Sequence, residues 1–457
     1  MGSNRKKEGF KSLYKRLSAL LIFAALLGIF NEMWFTRFNT LRGEQFLGKG
    51  NLLVIAVYSA ILFLVLYVMG GLKIGVNKTL NLVLSQIVSV IIVDIMMWAQ
   101  VILIIGDIWH MKQIAEAIGL LMLYDILVCT VMTALLMAVY YRLFPPYHML
   151  LINGEHNNRL AGKIETRSDK YRIVGEISVF EDEEKVFEEI LKYDAVLLND
   201  LPTKSRNRIL KYCFEKRVRV YFTPKLSDIL VKGADKVDLF DSPLYLCKNF
   251  GMSFEERLIK RAADVFFSVL FIILTGPIML LIALAIKVYD RGPVFFKQDR
   301  VTRDDRVFKM IKFRSMIENA EEDGKSHPAV DDDERITPVG RFIRSTRLDE
   351  LPQLFNILKG DMSFVGPRPE RIEHVEKYTA EIPEFSYRTK VKGGLTGLAQ
   401  VYGKYNTTAY DKLKMDLTYI VNYSFVLDIR IVMTTLKVIF KKESTEGFLT
   451  DVSEDDE

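Results

Sequence analysis

At roughly 100 to 200 residues per domain, a chain of 457 residues allows two to four domains. Half of the residues are hydrophobic, which excludes disorder as the dominant state, and a formal net charge of +5 is too small to mark a general nucleic-acid binder. Cys129, Cys213 and Cys247 are widely spaced and the five histidines do not gather near them, so neither a disulfide framework nor a zinc site is expected.

The charges are unevenly spread. From Leu17 to Tyr141 there are six acids and six bases in 125 residues. Four apolar runs lie in that stretch, about Leu17 to Phe35, Leu52 to Gly71, Leu80 to Gly106 and Ala117 to Tyr141, each long enough to cross a hydrocarbon core that needs about 20 helical residues. The first is too long for a signal peptide and is expected to be a retained helix. Arg5, Lys6, Lys7, Lys11, Lys15 and Arg16 precede it and Arg142 closes the fourth, so both ends of the bundle are expected on the cytoplasmic side. Asp94 and Asp125 sit inside apolar runs, where an acid serves either helix packing or a proton or ion path.

From Tyr147 to about Lys248, strand-like runs at His148 to Ile152, Arg172 to Ile177, Ala195 to Leu198 and Val218 to Phe222 alternate with helical periodicity at Glu183 to Lys192 and Lys204 to Lys216. That order implies a small parallel sheet, Rossmann-like in outline. Asn153-Gly154-Glu155-His156-Asn157 would suit a phosphate at a helix start, but no GxGxxG is present, and the expected reading is a regulatory or dimerising module without ligand, with a bound nucleotide as the alternative. A homodimer through this module is suggested.

Ala262 to Tyr289 is a fifth apolar run with basic residues at both ends, Lys260 and Arg261 before it and Lys287 and Arg291 after it. Flanks of one sign argue that both ends stay on one side. Gly276 and Pro277 lie near its middle, where proline removes a donor and clashes with the preceding turn, so a broken, re-entrant helix is expected, against an ordinary kinked span.

Ordered blocks follow: Lys260-Arg261-Ala262-Ala263-Asp264, Gly292-Pro293-Val294-Phe295-Phe296-Lys297-Gln298, Lys312-Phe313-Arg314-Ser315-Met316, Arg347-Leu348-Asp349-Glu350-Leu351-Pro352-Gln353 and Gly366-Pro367-Arg368-Pro369. From about Phe254 to Lys442 the chain resembles the bacterial sugar transferase family, the polyprenyl-phosphate sugar-1-phosphate transferases, in its long form. The resemblance implies transfer of a sugar 1-phosphate from a UDP-sugar to undecaprenyl phosphate at the lipid bilayer, with release of UMP and with Mg²⁺ as cofactor. It implies Asp349 as nucleophile and Glu350 as its catalytic partner, with Glu350, beside Asp349, holding the metal. Arg344 and Arg368 match positions linked to donor phosphates. Lys312 and Arg314 are candidates for the same charge neutralisation, and Lys260 and Arg261 for attracting the polyprenyl phosphate at the membrane boundary.

The residues also have a physical reading. Neighbours on a helix point about 100° apart, so Asp349 and Glu350 cannot be assumed to share one job. Pro352 suits a first helical turn, which would put both carboxylates at a helix start, where an N-cap and dipole role without chemistry is the plain alternative. The chain departs from the family pattern twice. Gly393 stands where the PGLTGLAQ block has proline, and Val301-Thr302-Arg303-Asp304-Asp305-Arg306 stands where relatives commonly have glycines.

Asp411, Lys414, Asp416 and Tyr419 fall on an expected helix and read as structural, and Phe425 to Phe440 reads as an amphipathic or packed element. The tail from Glu443 to Glu457, with seven acids and no bases, is expected to be disordered. The expected architecture is therefore a multi-domain membrane protein: a four-helix transmembrane bundle (1–146), a Rossmann-like α/β module (147–250), a re-entrant helix with a mainly α-helical α/β catalytic domain (251–442) and the tail (443–457). A membrane-anchored nucleotide sensor without catalysis is the competing function, and a transporter resting on Asp94 and Asp125 is a third.

Overall fold

The computed structural model describes residues 2–41, 45–46, 48–106, 110–154, 160–239, 242–247, 251–318, 333–403 and 407–439. The tail 443–457 and residues 155–157 of the expected phosphate loop lie outside the described residues. The chain divides into two compact units, Met1–Pro224 and Lys225–Glu457.

The first unit opens with four long helices, α1 (Gly2–Met33), α2 (Lys49–Met69), α3 (Thr79–Ile105) and α4 (Met111–Leu143). All are long and apolar enough to cross a membrane. Buried residues on α4, among them Ile114, Ile118, Leu121, Asp125, Cys129 and Met137, recur every three or four positions, which is one helix face, and this face packs into an apolar core shared by all four helices. Polar groups inside that core find one another. Thr133 Oγ1 donates to Gln86 Oε1 at 2.6 Å, and Tyr58 Oη donates to Asp125 Oδ2 at 3.3 Å. Asp94 is fully buried.

A parallel sheet follows: β1 (Tyr147–Asn153), α5 (Leu160–Glu165), β2 (Tyr171–Ser178), α6 (Glu183–Ile190), β3 (Ala195–Asn199), α7 (Thr203–Lys216) and β4 (Arg219–Phe222). The strand order is β2-β1-β3-β4, with every pairing parallel. The four expected strands are present to within about one residue at each end, because β3 and most of β1 are continuous apolar runs buried on both faces. α8 (Leu226–Lys232) and the antiparallel hairpin β5 (Asp235–Leu239) and β6 (Ser242–Leu246) belong to the second unit, so the compact units divide at Pro224, ahead of the boundary at 250 that composition gave.

The second unit is organised along α9 (Phe254–Asp290). A reciprocal cap starts it: Ser253 Oγ accepts from the Glu256 amide, and Glu256 accepts from the Ser253 amide. Contrary to expectation, the helix is not divided at Gly276-Pro277 but continues to Asp290 with Pro277 inside it. Thr275 Oγ1 donates to the Phe271 carbonyl at 2.7 Å in the turn before the proline, the back-bonding by which a hydroxyl side chain sits within a helix.

Then come β7 (Phe295–Val301) and β8 (Val307–Phe313), an antiparallel pair, α10 (Pro338–Ser345), α11 (Gln353–Lys359), β9 (Ser363–Val365), α12 (Ile372–Glu381), β10 (Gly394–Thr396), which pairs parallel with β9, and α13 (Leu398–Tyr402), α14 (Ala409–Val421) and α15 (Phe425–Ile439). Charged residues of the Lys260–Asp264 block dock α9 onto this unit. Lys260 Nζ bonds Asp428 Oδ2 at 2.5 Å, Arg261 donates to the carbonyls of Ile357 and Leu358 at 2.7 Å each, and Asp264 Oδ1 accepts from Ser363 Oγ and the Phe364 amide. Further along α9, Met279, Ile282 and Ile286 pack with Phe313 and Ile343.

Candidate active site

Asp349 and Glu350 lie on a single 3₁₀ turn, Leu348–Glu350, just ahead of α11 rather than in its first turn. Arg347, with φ +56°, enters the turn in the left-handed region, so the chain reverses sharply between α10 and the acids. Three devices fix the turn. Thr337 caps α10, its hydroxyl accepting from the Gly340 amide at 2.9 Å. Leu348 and Leu351 pack against the core around Phe313 and Ile343. Asn356, on the turn of α11 after the acids, donates through Nδ2 to the Lys309 carbonyl and accepts through Oδ1 from the Ile311 amide. That bidentate amide holds α11 beside β8, and so sets the acids against Lys312.

Lys312 Nζ donates to Glu350 Oε1 at 3.1 Å and stands 4.0 Å from Asp349 Oδ2. Arg368 Nη2 is 3.9 Å from Glu350 Oε1, with its side chain partly exposed. Arg344 ends α10, and its charge, like that of Arg347, acts on Asp349. The structure therefore brings Asp349, Glu350, Lys312, Arg344 and Arg368 to one place.

Three expected site cations are used elsewhere. Arg314 pairs with Asp290 at the end of α9, and Lys260 and Arg261 are the docking residues of that helix. Lys260 and Arg314 are each paired with a carboxylate and Arg261 with two carbonyls, so none of the three is assigned to substrate here.

The two acids differ electrically. Burial pushes the Asp349 carboxyl above the usual range, the Lys312 ammonium opposes that, and the charge on Glu350 adds to the rise. Burial also works against ionising Glu350, but Lys312, Arg368 and Arg347 outweigh it and hold the carboxyl at about 2. Such separation of neighbouring carboxyls is a mark of divided roles. Among the described residues, no three acidic, histidine or cysteine side chains gather to cage a metal. Two adjacent carboxylates nonetheless fit a hard cation that completes its shell with water and substrate phosphates.

Both departures from the family pattern meet at one contact. Gly393 N donates to Thr302 Oγ1 at 3.1 Å, and that hydroxyl donates to the Asp361 carbonyl at 2.9 Å. A Cβ at position 393 would run into the Pro369 ring. Asp304 and Asp305 adopt φ of +58° and +55°, the region glycine enters freely.

Sequence reasoning passed over Arg347 and Asn356, although both stand within or beside the quoted blocks. It also missed Arg300, Glu370 and Arg388, which carry no local signature.

A family model described as bacterial sugar transferase matches residues 255–442. The chain is 40% identical over 264 residues to a UDP-N-acetylgalactosamine-undecaprenyl-phosphate N-acetylgalactosaminephosphotransferase of Aeromonas hydrophila, covering 54% of this chain and 59% of that protein. It is 44% identical over 211 residues to a UDP-glucose:undecaprenyl-phosphate glucose-1-phosphate transferase of Klebsiella pneumoniae, covering 45% and 43%. A Caulobacter vibrioides protein named as the same glucose-1-phosphate transferase matches at 42% over 183 residues, 39% of this chain and 68% of the relative. The chain thus spans about half the length of the first two relatives and two thirds of the third. With the acid pair, its cations and the docked apolar helix all inside the matched segment, the chain belongs to the bacterial sugar transferase family.

Proposed function

We propose that the protein moves a sugar 1-phosphate from a UDP-sugar to undecaprenyl phosphate with release of UMP, the step that begins assembly of a capsule, exopolysaccharide or O-antigen. The observation that carries the reading is the Asp349–Glu350 pair held beside Lys312 and Arg368 within the matched segment. The relatives' names supply the acceptor and the class of donor. They differ in the sugar.

In the first step an Asp349 carboxylate oxygen bonds to the sugar-bearing phosphorus, the anhydride bond breaks, and its electron pair leaves on UMP. In the second, a phosphate oxygen of undecaprenyl phosphate bonds to that phosphorus and the Asp349 carboxylate departs. Neither step needs a proton taken from the nucleophile, which suits a carboxylate. Lys312, Arg344 and Arg368 neutralise phosphate charge and hold the donor in line, which is most of what phosphoryl transfer asks of a protein. Glu350 and Asp349 would hold Mg²⁺ together with the donor phosphates, and the bound ion would offset the diphosphate's charge. In the test, purified protein is mixed with undecaprenyl phosphate, Mg²⁺ and a panel of UDP-sugars, and UMP is measured. Release is expected with at least one donor. Silence with every UDP-hexose and UDP-N-acetylhexosamine would favour the sensor.

The pH profile carries a signed prediction. The ionised form of Asp349 attacks, so kcat/KM falls as pH drops through its raised pKa. Lys312 lowers that pKa and Glu350 raises it. Lys312→Met should therefore move the acid limb to higher pH and Glu350→Gln to lower pH, whatever each does to the plateau. Shifts in the same direction would remove Asp349 from the attacking role.

The re-entrant arrangement of α9 belongs to the same proposal, now as an unbroken helix whose two ends keep to the cytoplasmic face. Lys260 and Asp290 are about 45 Å apart along a straight helix, more than the ~30 Å hydrocarbon core, yet both pair with residues of the same unit, Asp428 and Arg314. A straight crossing would strand one of those partners on the far side. Exposed Lys297, replaced by cysteine in an otherwise cysteine-free chain, is expected to resist an impermeant thiol reagent added to intact cells and to react in inverted vesicles. Labelling in intact cells would establish a crossing.

A further inference from the structure

The segment Pro367-Arg368-Pro369-Glu370 carries a site cation, Arg368, on a loop. Its prolines have no amide hydrogens, so the loop is held through its carbonyls. All four accept. The Pro367 carbonyl takes the Gly394 amide at 2.9 Å, and the Glu370 carbonyl takes the Val301 amide at 3.0 Å. Between them, the Arg368 carbonyl takes Arg388 Nη2 at 2.9 Å and the Pro369 carbonyl takes Arg300 Nη1 at 3.1 Å. Two guanidinium groups from separate parts of the unit thus grip successive carbonyls around the residue whose own side chain reaches Glu350.

Their charges are balanced away from the substrate side chains. Arg388 is almost fully buried and bonds Asp416 Oδ2 through Nε and Nη2 at 3.2 and 2.9 Å. Glu370 lies between the two, 3.7 Å from Arg388 and 4.0 Å from Arg300. A buried ion cluster of this kind is costly to assemble, and a hydrophobic replacement often serves stability as well. What apolar residues cannot supply is two charged donors aimed at two adjacent carbonyls.

We propose that Arg300 and Arg388 are positioning residues for Arg368. They fix the backbone from which Arg368 reaches the donor's phosphates, and so set affinity for the UDP-sugar without touching it. This rests on the transfer reaction proposed above. The effect should appear in the donor's KM more than in kcat, and it should vanish when Arg368 has nothing to reach with.

The test is a cycle of UMP-release measurements on the full chain. Arg300→Gln is made alone, and Arg388→Gln is made together with Asp416→Asn so that no buried charge is stranded. Each is also placed in an Arg368→Ala background. Wild-type UMP release establishes the reaction itself, and its absence would be a failure of that reading and not of this one. With wild type active, each change is expected to raise the UDP-sugar KM about tenfold or more, with the undecaprenyl phosphate KM within about twofold, and the same change in the Arg368→Ala background should cost less than about twofold. Arg388→Lys, which keeps charge but not the fork, should recover only part of the loss. Equal losses in both backgrounds, or equal rises in the two KM values, would show a merely structural role and overturn the proposal. If the Arg388 pair fails to fold, Arg300→Gln decides by the same criteria.

Discussion

Asp349→Asn is expected to abolish UMP release, by at least about a thousandfold, while the protein purifies and melts like wild type. The amide keeps the shape of the side chain and removes the attacking oxyanion. Because burial already opposes the charge on Asp349, its neutral replacement costs the fold little. The matching gain of evidence is chemical. Wild-type protein quenched in the presence of donor alone should yield a peptide containing Asp349 heavier by one phosphosugar, and the Asn variant should not. Retention of more than a few per cent of activity, or a phosphosugar on any other residue, would move the nucleophile away from Asp349. Glu350→Gln provides the contrast. It leaves the attacking group in place, so it should weaken the response to Mg²⁺ without ending turnover.

The second large effect is on stability. Lys260→Met leaves Asp428 buried with, among the described residues, the Tyr419 hydroxyl, 2.8 Å from Oδ1, in place of its cation. Removing one member of a buried pair costs about 3–5 kcal/mol, so thermal unfolding in detergent should fall by several degrees or more. Asp428→Asn added to Lys260→Met should restore most of it, because no charge is then stranded. The same double variant separates two roles for Lys260. A docking residue leaves the KM for undecaprenyl phosphate unchanged once the fold is restored, whereas a residue that greets the lipid phosphate leaves that KM raised. The first result is expected.

These variants mark where sequence was informative. The long helices and the parallel sheet follow from periodicity within single segments, and α3, β1 and β3 needed no distant partner to be recognised. The acid pair was visible for another reason: the two residues are adjacent, and one turn brings both beside Lys312. The cations were harder. Lys260 finds Asp428 across 168 positions, and Arg388 finds Asp416 across 28, and no pattern local to either basic residue announces its partner. A basic residue at a membrane boundary or in a charged block looks the same whether it will meet a phosphate, as Arg368 is proposed to, or a carboxylate of its own chain, as Arg314 does. The broken helix at Pro277 failed for a related cause, since a proline weighs against a helix locally while packing along both halves of α9 favours keeping it whole.

The contact between Gly393 and Thr302 couples what each position can hold. A glycine arriving at 393 before any hydroxyl stood at 302 would have brought a new backbone donor into a packed interior with nothing to receive it, at a cost of about 1–3 kcal/mol. Had threonine come first, its hydroxyl would still have found the Asp361 carbonyl, leaving only a spare lone pair idle. The cheaper order of substitution therefore runs through threonine. Loss of the hydroxyl at 302 alone, with glycine kept at 393, would carry that same cost, so the two positions depend on each other.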